Sequence, residues 1–343
     1  MDWRVERLTQ GLLTVFLVIT LSFVIIRFMP GNPMDYILAQ MSGDATGATS
    51  GEGGASGSDM EQQYELVQAY LSMNPSDPLH VAYFDYMSNT LRGDLGQSIY
   101  YSRPVSDILG RAMPWTLFVL SWGLAIGFVL GIITGSLIAY WEGSKLDVGL
   151  TAYSVIMGSI PYYVLALLLI VYMAYRWQIF PTNGRVPEGV TAGLNWPFIK
   201  GIIYHASLPI ASTVVFSGIA SLSMRGNAIR VLGEDYLRVA RLRGLSDGVI
   251  ATQYVARNAI LPLYTGLMIS IGSLFGGSVI LETIFRYRGM GYYLVQAANA
   301  RDYPLMMGGF MLLTICVVIA LFITDLTYGL IDPRAGDENR EAF

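Results

Sequence analysis

"WTLFVLSWGLAIGFVLGIITGSLIAY", residues 115–140, carries no charged side chain. A bilayer core about 30 Å thick is crossed by about 20 apolar residues of helix. This run exceeds that length, and it decides the class: a membrane protein built of spanning helices, whose backbone polar groups are satisfied within each span. The composition agrees. Of 343 residues, 53% are hydrophobic and 13% charged, and the mean hydropathy is +0.48. Soluble domains carry about 25% charge.

Working outward, five more stretches reach spanning length, near residues 8–28, 151–175, 202–224, 262–285 and 305–331. Six spans predict an all-α polytopic fold with both termini on one side. Arg4 and Arg7 ahead of the first stretch give it the look of a secretory signal. Its apolar core is too long for one, and "RFMPGNP" (27–33) follows where a small-residue cleavage site would stand, so it reads as an uncleaved span. The 21 basic residues divide almost evenly between the two sides. The loop between spans four and five breaks the tie with Arg225, Arg230, Arg238, Arg241, Arg243 and Arg257. It reads as cytoplasmic by the positive-inside rule, which puts a multi-pass chain in the cell membrane with both termini cytoplasmic.

The expected organisation is a cytoplasmic N-terminus and first span (1–28), an extracytoplasmic loop (29–114), a five-span core (115–331) and a cytoplasmic tail (332–343). Within the loop, "GDATGATSGEGGASGSD" (43–59) is small, polar and of low complexity, and it is expected to be flexible. Residues 60–71 and 79–91 read as two short helices forming a small outer cap.

Several function classes are weakened by what the chain lacks. Cys316 is the single cysteine, so no disulfide framework or cysteine metal cluster is available. No G-x-x-x-x-G-K-[ST] phosphate loop is present. Arg27, Arg176, Glu282 and Asp325 lie near span ends and His205 opens the fourth span. Ion-driven carriers bury such groups at mid-membrane. Glu282 reads as a locally paired interfacial charge, with contact to substrate near the outer face as the sharper alternative.

Two patterns remain. Gly123, Gly127, Gly131 and Gly135 recur every four residues in the second span, a flat strip along which another helix can approach closely. It serves packing within the subunit or a sliding or dimer surface. The second pattern is "EDYLRVARLRGLS" (234–246). Glu234 and Arg238 are four apart, Gly244 suits the position just past a helix end, Ser246 or Asp247 can cap a second helix to about residue 258, and Pro262 suits the first turn of the fifth span. Two short helices meet at a glycine corner on the membrane surface. Their arginines suit carboxylate partners or anionic lipid, and spacing does not choose between them. The segment 141–149 is a second, weaker candidate contact.

These motifs resemble the oligopeptide/dipeptide branch of ABC-transporter permeases. Glu234-Asp235-Tyr236, Arg238-x-Ala240-Arg241 and Gly244-Leu245-Ser246 are similar to that family's coupling loop, and "ARNAILP" (256–262) continues the match. "FVIIRFMPGNP", "RGDLGQSIYYSRPV", "SIPYYVLALLLI", "FPTNGR", "GGSVILETIF", "GMGYYLVQAANARDYPL" and "DLTYGLIDPR" carry the likeness, in order, over nearly the whole chain. The N-terminal signature and large outer loop look like the first, B-type, permease. One departure stands out. The wider superfamily has Glu-Ala-Ala, three residues, then Gly; here Arg238, Val239 and Ala240 precede Gly244, so the superfamily glutamate's role has no place at Arg238. The 43–59 insert is also longer than usual.

The resemblance implies a type I ABC importer permease fold and a non-catalytic subunit. It implies a second homologous permease, two cytoplasmic ATPase subunits that bind ATP and Mg, and an outer solute-binding protein delivering peptides. Glu234, Asp235, Arg238, Ala240, Arg241, Gly244, Leu245 and Ser246 would then contact an ATPase or support the docking helix, with Gly244 permitting close backbone approach. Alternatives are the same machinery importing oligosaccharides, nickel chelates or glutathione, or an ion-coupled carrier. No metal ligand set, no cofactor of this chain's own and no nucleic-acid partner is expected.

Overall fold

The structure, a computed structural model, describes residues 3–27, 77–214, 218–260, 263–264, 266–267, 270–271 and 279–331. The flexible segment 43–59, the expected helix 60–71, most of the fifth stretch and the tail 332–343 lie outside them. Among the described residues the chain is mostly helical, with one two-stranded hairpin. It divides into two compact units, Met1–Pro114 with Gly289–Phe322, and Trp115–Arg288 with Ile323–Phe343.

In the first unit, α1 (Trp3–Arg27) is charged in its first turns and carries no charge from Leu8 to Ile26, and it packs on α2 (Leu79–Leu91). Phe23 meets Tyr83 edge-on at 5.2 Å between ring centroids and tilts against Tyr86 at 5.8 Å. Burial pushes the Tyr86 hydroxyl up to about 12, so it enters this core uncharged. Beyond α2, strands β1 (Gln97–Ser98) and β2 (Arg103–Pro104) pair antiparallel, Gln97 opposite Pro104.

Asp302 ties that hairpin down. Helix α11 (Met290–Ala300) ends with Arg301 in a left-handed conformation, which turns the chain directly into α12 (Tyr303–Ile331). Asp302 caps α12 by accepting from the Leu305 amide at 3.2 Å. Its other oxygen accepts from the Ser98 hydroxyl and, at 3.1 Å, from the Tyr100 amide. The carboxylate is fully buried, so each bond replaces one it would make with water.

The second unit is a set of close helix contacts. Its first helix, α3 (Val105–Tyr140), starts in the first unit, runs through Pro114 and is 36 residues long, about 54 Å at 1.5 Å per residue. Then follow α4 (Lys145–Ser159), α5 (Tyr162–Leu169, widening to a π-helix over Ile170–Arg176), α6 (Trp196–Val214) and α7 (Gly218–Leu232). The unit continues with α8 (Asp235–Leu242), α9 (residues 247–259, with a π-helical middle Ile250–Ala256) and α10 (Val279–Ile284).

Among the described residues three helices, Val5–Ile25, Val105–Tyr140 and Tyr303–Ile323, are long and apolar enough to cross a membrane. The stretch 151–175, expected as one span, falls on two helices that meet at 94°. Pro161 is the reason. It holds Ile160 extended (ψ 124°) and has no N–H to continue the ladder. Residues 202–224 are shared between α6 and α7, with 215–217 outside the described set. Large apolar side chains stand exposed on these helices, among them Leu12, Leu17, Val129, Ile156 and Val171. In lipid such faces are matched to their solvent.

Glycines set how near the helices come. A Cβ on Gly131 would lie 2.7 Å from the Ala220 Cβ, and one on Gly135 would strike the Ser221 carbonyl and the Met224 side chain. A Cβ on Gly123 would meet the Thr213 hydroxyl, whereas Gly127 faces nothing within 4 Å. Positions rise together along α3 and α7, so the two run parallel. Gly218 presses on α4, where a Cβ would sit 2.5 Å from the Ser154 carbonyl oxygen.

Replacing Asp302 with Ala leaves three donors without this acceptor, two of them buried, and should destabilise the protein by on the order of 3 kcal/mol. Asp302→Asn should cost less, because one carbonyl oxygen remains. Thermal unfolding of the detergent-solubilised chain reads both.

Candidate functional site: the amphipathic elbow after α7

The elbow follows from local backbone chemistry. Helix α7 stops at Leu232, Gly233 intervenes, and Glu234 takes the N-cap position of α8 in an extended conformation, without a side-chain capping bond. At the other end the Gly244 amide donates to the Arg241 carbonyl at 3.0 Å and the Leu245 amide to the Ala240 carbonyl at 3.4 Å. That pair of bonds is a Schellman ending, which needs a left-handed residue after the C-cap. Gly244 supplies it at φ +71°. The space around its missing side chain is open, with nothing within 4 Å. Within this chain, then, the glycine is required by its dihedral angle and not by close approach. Ser246 next gives its carbonyl to the Ile250 amide at 3.0 Å, opening α9.

Helix α8 has two faces. Leu237 (1% exposed) and Ala240 (2%) point inward onto Met224 and Ala228 of α7 and Ile250, Val255 and Ala259 of α9. Leu245 joins the edge of the same core, making the hydrophobic contact that accompanies such helix ends. Asn258 donates to the Tyr236 hydroxyl at 3.0 Å and bridges the two arms. Burying Leu237 away from water contributes roughly 2 kcal/mol.

The outer face is unlike the inner. Arg238, Arg241 and Arg243 are exposed, and among the described residues none of them forms an ion pair with an acid. Glu234 and Arg238, four apart, are no exception. Between the arginines lie apolar side chains that the sequence reading passed over: Leu242 is 81% exposed, Val239 54% and Tyr236 38%. Their signal was available, since 239 and 242 lie three apart on the face away from 237 and 240, with 236 at its edge. Ala240 and Leu245, grouped above with possible contacts, are interior supports.

The segment 141–144 is brought to the same end of this unit. Ala139, two residues before it, packs in the elbow's core. Asp147, in the first turn of α4, accepts from the Gly143 amide at 2.9 Å and the Thr151 hydroxyl at 3.0 Å, and pairs with Arg225 of α7 at 3.3 Å.

Glu282 is at the other end, about 35 Å along α3 by the separation of Thr116 and Ala139. It is locally paired, as expected, and its carboxylate is buried inside the protein. It is 1% exposed and accepts from the Thr116 hydroxyl at 2.6 Å. Beside it Tyr287 is buried, and Arg185 lies over the Trp115 ring at 4.8 Å. Sequence position near a span end could not reveal this, because burial there is set by α3 and α10 together. Among the described residues no group of three His, Cys, Asp or Glu could hold a metal ion.

Residues 127–337, more than half of the chain, match the family described as "Binding-protein-dependent transport system inner membrane component". The chain belongs to that family, the membrane permeases of ABC importers. It is 32% identical to an oligopeptide transport system permease protein of Bacillus subtilis (strain 168), over 92% of each chain. It is 31% identical to that organism's dipeptide transport system permease protein, over 97% of each. With an inner membrane ABC transporter permease protein of Escherichia coli O157:H7 it shares 28% identity, over 98% of this chain and 99% of the other.

Leu237→Ala should remove about 3 kcal/mol by hollowing the elbow, while Leu242→Ala should stay within about 0.5 kcal/mol. Gly244→Ala places a Cβ in the left-handed region at a cost of about 1 kcal/mol, lowering hydrogen-exchange protection of the 235–245 amides about fivefold. Gly244→Asn, better suited to that region, should cost less.

Proposed function

We infer that this permease carries peptides as one of two homologous membrane subunits in an ATP-driven importer. Its relatives are named for oligopeptides and dipeptides, which supports that substrate class. In this reading the chain crosses the membrane six times with both termini cytoplasmic. Residues 29–114 form the extracytoplasmic loop with its flexible 43–59 segment, 115–331 the core and 332–343 the cytoplasmic tail. ATP and Mg are bound by two separate cytoplasmic ATPase subunits, and an outer binding protein delivers the peptide. This chain supplies path and coupling, not hydrolysis.

The observation that carries the reading is the outer face of α8: large apolar side chains and unpaired arginines side by side, on a helix rigidly seated by its inner face. Such a surface suits a protein groove with apolar walls and a carboxylate rim. Glu234, Asp235, Arg238 and Arg241 would face the ATPase with Leu242, Val239 and Tyr236. Ala240, Gly244, Leu245 and Ser246 would hold the shape. The arms 225–232 and 247–261 would then carry the motion of ATPase closure into the spans. The strip at Gly123, Gly131 and Gly135 serves packing of α3 in this scheme, and Gly127 is left for another helix.

The test is reconstitution in proteoliposomes with the second permease, both ATPases and the binding protein, scoring uptake of labelled di- to pentapeptides. Uptake should require ATP and every partner. Leu242→Asp should leave the melting temperature unchanged yet weaken ATPase retention at least tenfold, the effect of losing about 1.4 kcal/mol or more of docking energy. Uptake without ATP or without the ATPase subunits would overturn the reading.

A further inference from the structure

The elbow hangs from α7, and α7 is fastened to α4 at two places. At one, Gly218 lies on the Ser154 backbone so closely that a Cβ would be 2.5 Å from its carbonyl oxygen. At the other, Arg225 pairs with Asp147 at 3.3 Å. From 154 to 147 and from 218 to 225 are equal steps, about two helical turns, so α4 and α7 run antiparallel with a fastening at each end of the shared length. The first fastening is pure contact. The second is polar and belongs to three pieces of chain at once: the Asp147 carboxylate takes the Gly143 amide of the 141–144 turn, the Thr151 hydroxyl of α4 and the Arg225 guanidinium of α7.

Asp147 is nearly buried and the Arg225 side chain is 29% exposed. The Arg225 Nε is buried without a hydrogen-bond partner. The guanidinium is therefore held by one carboxylate rather than by a saturated network. A pair so placed can shift without a set of other bonds having to break. It also stands at the base of the bent helix pair, since α4 leads into the 94° turn at Pro161 and then α5. Contact at Gly218 can push α4 but cannot pull it. An ion pair can do both.

We propose that Asp147 and Arg225 form the joint through which the elbow moves the bent helix pair α4–α5, Arg225 acting as a positioning residue and Asp147 as its anchor. This rests on the coupling role proposed above for the elbow. When α7 shifts with the elbow, the joint draws the 141–144 turn and α4 along, so that two spans respond and not one. Without it the elbow still docks and ATP is still hydrolysed, but the motion stays in α7.

The experiment uses the complete importer in proteoliposomes and compares peptide uptake per ATP hydrolysed in the wild type, Arg225→Met, Arg225→Lys, Asp147→Asn and the double variant Asp147→Asn/Arg225→Met. Arg225→Met keeps the length of the side chain and loses the charge. It should assemble and hydrolyse ATP nearly as the wild type does while uptake per ATP falls about tenfold, a coupling loss of ordinary size for linked sites. Arg225→Lys should retain most of the ratio. The double variant should be no worse than either single change, the signature of two residues acting through one interaction. A ratio unchanged in Arg225→Met, or equal losses in Met and Lys variants, or losses that multiply in the double variant, would each overturn the joint. Should Arg225→Met fail to assemble, Asp147→Asn decides by the same ratio, because its carbonyl oxygen still accepts from the Gly143 amide and its amide can donate to the Thr151 hydroxyl. A wild type without ATP-driven uptake would instead overturn the importer reading, so the two failures are distinguishable.

Discussion

Helix α7 can touch two neighbours at once because the side chains that would hold them apart are missing. Gly131 and Gly135 let α3 come down onto Ala220, Ser221 and Met224, and Gly218 lets α7 come down onto the α4 backbone. In lipid there is no hydrophobic gain from bringing apolar helices together, so dispersion contacts and a few hydrogen bonds must do it. Those contacts decay steeply with distance. A methyl group at any of these positions would open a gap along whole turns of helix. The elbow's inner core, the Asp147–Arg225 pair and the position of the 141–144 turn all follow from that close seating of α7.

The two units answer the burial of polar groups in different ways. In the first, Asp302 gathers the hairpin at Ser98 and Tyr100 and the start of α12 around one buried carboxylate. In the second, Asp147 gathers a turn and two helices, and Glu282 is met by Thr116. Asp302 and Asp147 sit where irregular backbone or a helix end has donors to spare, and Glu282 takes a side-chain hydroxyl of α3. None lies in the middle of a long apolar helix, which suits a protein whose work is driven from outside the membrane rather than by ions crossing it.

How much of this the residues announced on their own varies with the range of the physics involved. Spans 8–28, 115–140 and 305–331 were legible because crossing a bilayer demands length and uncharged composition, both local properties. The helix break after Leu242 was legible because only glycine takes the left-handed angle at little cost, and Gly244 stands where a helix must end. The 94° bend was within reach too, since Pro161 lies in the middle of a run that reads as one span. It was passed over because hydropathy averages across a proline without registering it.

Sequence by itself determined the class, the main apolar helices and the elbow's outline, since each depends on side chains within a few turns of one another. Tertiary structure alone decided which acids are buried and with whom. Glu282 is an interior carboxylate because Thr116, far away in the chain, lies against it. Asp147 is an anchor because α7 runs antiparallel to α4 at a distance that glycine allows. It also decided which residues of the elbow face outward. Ala240 is inside and Leu242 outside although both suit a helix equally, because the α7–α9 core takes one face of α8 and leaves the other. Such choices rest on contacts between residues distant in the chain, and no local pattern encodes them.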